Sequence, residues 1–209
     1  MEIGHWLSLF SICLLWAMSP GPSLAVVLNN TLIKGPGAGY STAISHGLGV
    51  ALYGLLTITG LAIVVTRSPA LFLALQLLGA TYLIYLGIRS LRGAGSNAML
   101  VKEGKKDNRG HRAALSGFLM AFLNPKLALF MLALFAQFLN PQALALEKGI
   151  MVATVGITDV AWYSLIVTAV SQQALLERLK RSAGLIDRVF GVLLIVLALS
   201  VITRVLLPA

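Results

Sequence analysis

From Trp6 to Leu28 the chain runs 23 residues without a charged side chain, yet Pro20, Gly21 and Pro22 stand inside the run. An apolar stretch of this length spans a bilayer only as a helix, because hydrocarbon offers no water to unpaired backbone groups. Each proline lacks an N–H, so the carbonyls of Trp16 and Met18 lose the partners they would find four residues on. A second break, Leu123-Asn124-Pro125-Lys126, interrupts another apolar run, with Pro125 standing 105 residues after Pro20 in a chain of 209. Interrupted spans at matching places in two halves point to a transporter binding site.

Composition agrees with a polytopic membrane protein: 58% of residues are apolar and 11% charged. The apolar runs predict an all-α membrane protein forming one transmembrane domain over residues 1–209. Six transmembrane helices are expected at about 6–28, 40–65, 69–88, 113–139, 150–170 and 185–207, with the first and fourth broken. Glu2 and His5 stand where a secretory leader has basic residues, so the first run reads as an uncleaved span. Asn29 to Gly39 reads as a polar, flexible turn, and Gln172 to Arg181 as an amphipathic basic linker before the sixth span. Ser45 and Gly49, four apart in the second span, form a small-residue face on which another backbone packs closely. Such faces also allow a homodimer.

The net charge of +9 resides in the connections between apolar runs, which argues for topology and against nucleic-acid binding. With the N-terminus outside, twelve Lys and Arg fall in cytoplasmic connections, seven of them in the loop 89–112, against three outside. Both termini then face the exterior. Three spans per half make the second half an inverted repeat of the first, which sets the two proline breaks opposite one another near the midplane. The lone Cys13 excludes a disulfide framework, and His5, His46 and His111 have no metal-ligand spacing. No nucleophile elbow, zincin motif or cofactor motif is present, so neither an enzyme nor a cofactor is expected.

Two charges lie deep within spans: Lys126 in the fourth and Asp159 in the fifth. Each costs at least about 2.5 to 3.5 kcal/mol to insert, so such residues face a cavity or each other. Either they pair and hold the two spans together, or they bind and exchange ions, with Asp159 taking and releasing a proton. The carbonyls freed at the first break accept from an ammonium, and amides at the start of a half-helix hold a carboxylate, so a small zwitterion matches both. Asn124 is placed to satisfy the Ala121 carbonyl freed by Pro125. His46, near the end of the second span, and Gln137 and Trp162 are candidate gate or cavity residues, with packing and interface roles as the alternative.

Three stretches resemble the LysE/RhtB family of bacterial amino-acid exporters: Ser19-Pro20-Gly21-Pro22; Gly79 to Arg89; and Gly117 to Leu119 with Leu123-Asn124-Pro125-Lys126 through Phe130. Asp159 with Trp162 is similar to its fifth span. The resemblance implies an inner-membrane exporter of a small amino acid or derivative, working by proton antiport. Ser19, Pro20, Gly21, Pro22, Asn124, Pro125 and Lys126 would form the substrate site, and Asp159 would bind the ammonium or the coupling proton. The family often has a proline before the glutamine of the fourth span; here Ala136 precedes Gln137, which removes the reason for a bend there. A non-transporting membrane scaffold or a passive solute channel is the alternative reading of the same breaks and charges.

Overall fold

The computed structural model describes residues 2–19, 21–92, 110–140, 142–170 and 173–206, which form eight helices. Helix α1 (Ile3–Met18) stops at the first break. There the Ser19 N–H donates to the carbonyls of Leu15 and Trp16, at 2.9 and 3.2 Å, so the turn itself takes the Trp16 carbonyl. Helix α2 (Pro22–Lys34) restarts with Pro22 at its first position, where an absent N–H costs nothing, and bends 57° from α1.

Asn29 to Lys34, expected in a flexible turn, instead close α2. Asn30 is buried, and its Nδ2 donates to Thr42 Oγ1 at 2.9 Å and Ser116 Oγ at 3.0 Å. A polar side chain satisfied inside the bundle does not end a helix. Gly35 alone connects α2 to α3 (Pro36–Arg67), at φ +92°, a conformation other residues rarely adopt. Helix α4 (Pro69–Leu91) comes after Ser68, whose hydroxyl caps the Leu71 amide.

The second break repeats the first. Helices α5 (Gly110–Phe122) and α6 (Pro125–Phe138) meet at 53°. The Asn124 N–H takes the Ala121 carbonyl at 3.2 Å, as expected of this residue. Its side-chain Oδ1 meanwhile accepts from the amides of Lys126 and Leu127, at 3.0 and 3.4 Å. Asn124 thus closes one helix and opens the next. Helices α7 (Ala145–Val170) and α8 (Gln173–Leu206) complete the chain.

The expected basic linker is corrected here too: residues 173–181 are the first turns of α8, continuous with the sixth span. Its Ala, Leu, Glu, Lys and Arg are strong helix formers, and no proline separates them from the sixth apolar run. Most of the loop 89–112 lies outside the described residues; its ends belong to α4 and α5.

Four helices, α3, α4, α7 and α8, are long and apolar enough to cross a membrane, and each bent pair counted as one span makes six. Both halves read bent pair, long helix, long helix. Helix α3 packs on α7 and α4 on α8, and the contact of α4 with α8 is reciprocal. A Cβ on Gly87 would come 2.7 Å from the Gly191 carbonyl oxygen, and one on Gly191 would come 2.6 Å from that of Gly87. The Ser45 and Gly49 face packs on α5, where a Cβ on Gly49 would stand 3.1 Å from the Phe118 carbonyl oxygen. Close backbone approach is therefore what these small residues supply.

Candidate binding site at the two helix breaks

Pro22 from the first break, with Asn124 and Pro125 from the second, lines one cavity of about 400 Å³ together with Ser116, Leu119, Met120 and Leu123. The two breaks therefore face a common space, which Ser19, Gly21 and Lys126 do not line. Pro20 lies outside the described residues. Gly21, in extended backbone, is the N-cap of α2 and brings no capping side chain, whereas the first amides of α6 are held by Asn124. Of the two half-helix starts, α2 keeps its anion-binding character more fully.

Lys126 is the second residue of α6, half-buried, at the positive end of that helix's dipole. Helix electrostatics would place an acid there. Its Nζ stands 4.7 Å from the centre of the Trp16 ring, which itself stacks on Phe130 with centroids 3.8 Å apart and planes 6° from parallel. The charges that act on Lys126 are Arg89 and Asp187. A cation over an indole gains about 0.5 to 2 kcal/mol, which holds the ammonium without neutralising it.

Asp159 does not pair with Lys126. Its Oδ2 lies 2.7 Å from His46 Nδ1, and both side chains are buried. The His46 ring meets Tyr163 edge-on at 5.1 Å. His46 was expected near a span end; α3 begins at Pro36, so His46 is its eleventh residue, three turns in and closed to solvent. Its Nε2 has no partner among the described residues.

The remaining candidates stand apart from the breaks. Gln137 Nε2 donates to the Gln76 carbonyl and Gln76 Nε2 to the Ala136 carbonyl, both at 3.0 Å, tying α6 to α4. Helix α6 runs unbroken through Ala136 and Gln137. Trp162 packs on an apolar cluster that includes Leu24, Val27 and Tyr163, with its Nε1 unpartnered among the described residues.

Two residues escaped sequence reasoning. Trp16 was read only for its carbonyl, although an aromatic one turn before a helix break is the signal that would have marked it. Asp187, third in the expected sixth span, is 1% exposed. Its Oδ1 accepts from Ser19 Oγ at 2.9 Å, and its backbone carbonyl accepts from Ser90 Oγ at 2.7 Å. Its neighbour Arg188 drew attention to topology and hid a buried acid. Among the described residues no three His, Cys, Asp or Glu gather as a metal site.

Residues 14–204 match the LysE type translocator family. An uncharacterized membrane protein of Pseudomonas aeruginosa, PA4757, is 35% identical over 125 residues, which is 58% of this chain and 58% of that protein. YrhP of Bacillus subtilis, also an uncharacterized membrane protein, is 25% identical over 197 residues, 90% of this chain and 94% of its own length. A leucine efflux protein of Salmonella choleraesuis is 31% identical over 130 residues, 59% of this chain and 58% of that protein. The matches to the Pseudomonas and Salmonella proteins thus span little more than half of each. No solved structure matches the chain significantly.

Proposed function

The chain belongs to the LysE type translocator family, and on that premise we propose that it exports a small amino acid or amino-acid derivative by proton antiport. One observation carries the reading: Lys126 is a cation held inside the membrane, at the positive end of a half-helix, against a ring and without an ion pair among the described residues. Dipole and ammonium together attract an anion, and the carboxylate of a small zwitterion is one that fits a break between half-helices. The leucine efflux relative supports amino acids as the cargo class.

In this reading Ser19, Pro20, Gly21, Pro22, Asn124 and Pro125 shape the site and Lys126 holds the carboxylate. Asp159, bonded to His46, takes the coupling proton. The His46 ring against Tyr163, which packs with Leu24 and Val27 of α2, supports a link between that proton and the helix that follows the first break. Outward antiport results if protonation of Asp159 and occupancy of the site exclude one another. The chain works as one domain in a bacterial inner membrane with both termini outside, which the bias of Lys and Arg supports.

Counterflow in proteoliposomes tests this. Purified protein is loaded with the twenty amino acids, and each is then offered labelled outside, with and without a pH step. Saturable exchange of one or a few that responds to the step is the expected result. No exchange by folded protein overturns the reading and brings the scaffold forward; entry without saturation brings the channel forward.

A further inference from the structure

We infer that Asp187 receives the ammonium of the cargo whose carboxylate Lys126 holds; the inference rests on the export reading above and narrows it to free α-amino acids. Asp187 is buried, with Oδ1 on the Ser19 hydroxyl and Oδ2 on nothing among the described residues. An interior carboxylate oxygen without a partner is costly, and a binding protein keeps such a group for what it will bind.

The surroundings fix where that oxygen sits. Ser90 at the end of α4 bonds the Asp187 backbone carbonyl and pins α8 at this level. Ser19, the last residue before the first break, orients the carboxylate. Lys126 is the cation that acts on Asp187, yet the two close no ion pair, because the ammonium is over Trp16. Opposite charges held apart by packing, one unpaired and one half-satisfied, are complementary to a molecule with an anion at one end and a cation at the other.

Asp159 lacks this freedom, since His46 occupies its Oδ2. The two buried acids therefore divide the work, Asp187 binding cargo and Asp159 binding the proton. Ser19, at the first break, bonds Asp187, whereas Asp159 is held by His46. A cargo without its ammonium, or with it acylated, leaves Asp187 unsatisfied and is rejected.

The test is thermal unfolding of the full-length protein in detergent with each of the twenty L-amino acids. For those that stabilise it, the matching carboxylic acid without the amino group is then titrated. Wild type should respond to the amino acid and ignore the des-amino acid. In Asp187→Asn the half-maximal concentration should rise about tenfold or more, the loss of one charge-assisted hydrogen bond, and the amino acid should lose its advantage. Ser19→Ala should weaken binding severalfold while keeping the acid, and it decides the matter if Asp187→Asn fails to fold. Unchanged half-points and unchanged rejection of the des-amino acid in the folded variants overturn the role of Asp187 alone. A wild type that none of the twenty stabilises overturns the amino-acid reading itself, and the role of Asp187 with it.

Discussion

His46 on α3 and Asp159 on α7 are 113 residues apart in sequence and share one short contact, Nδ1 to Oδ2 at 2.7 Å, in the interior of the bundle. A carboxylate and an imidazole at that distance hold one proton between them. Tyr163 meets the imidazole edge-on, and both members of the pair are buried.

Replacing Asp159 by Asn keeps the shape and removes the titrating group. Exchange driven by cargo alone should survive, while its acceleration by a pH gradient should vanish; counterflow with and without a pH step reads both. Asp159→Glu should retain little transport, because one added methylene in a closed site costs about 1 to 3 kcal/mol. Full proton-coupled export by Asp159→Asn would remove this residue from the mechanism.

Lys126→Met keeps the length and the packing on Trp16 but loses the charge. Export should fall about tenfold or more, in line with the loss of one charge-assisted bond. Trp16→Leu should cost about threefold to thirtyfold, the range of one cation–ring contact. A scaffold would tolerate Lys126→Met, with assembly and stability intact.

At the crossing of α4 and α8, Gly87→Ala puts a methyl 2.7 Å from a backbone oxygen that has nowhere to go. A loss of about 1 to 3 kcal/mol is expected from overpacking, seen as a lower unfolding midpoint in detergent. Gly191→Ala should cost a similar amount, and the two together should depart from additivity because they load one contact.

Gln137→Leu breaks one of the two side-chain bonds between α6 and α4, the one that Nε2 gives the Gln76 carbonyl. Stability should drop by about 1 to 2 kcal/mol, with the half-saturation of export unchanged. A gate at Gln137 would show instead as an altered turnover in protein of normal stability.

The orientation is open to labelling, because Cys13 is buried and gives little background. A membrane-impermeant maleimide should reach Arg67→Cys from the outside of intact cells, and Lys34→Cys only after the membrane is opened. The reverse pattern would invert the topology read from the charges.

Much of this architecture is one-dimensional physics. The length of each apolar run, the missing N–H of each proline and the cost of Lys126 and Asp159 in hydrocarbon depend only on the order of residues. They sufficed for six spans, two breaks and two charges of interest. Helix ends were less legible: Asn29 to Lys34 looked like a loop until Thr42 and Ser116, from two other helices, satisfied Asn30.

Pairing was decided by the tertiary structure alone. Asp159 found His46 and not Lys126, Lys126 found Trp16, and Asp187 found Ser19, each across helices far apart in the chain. Close backbone approach at glycines such as Gly87 and Gly191 sets how the helices cross. A sequence states what each residue costs to bury. Only the crossing of the helices decides which neighbour meets that cost, because side-chain contacts reach a few ångströms and the partners lie a hundred residues apart.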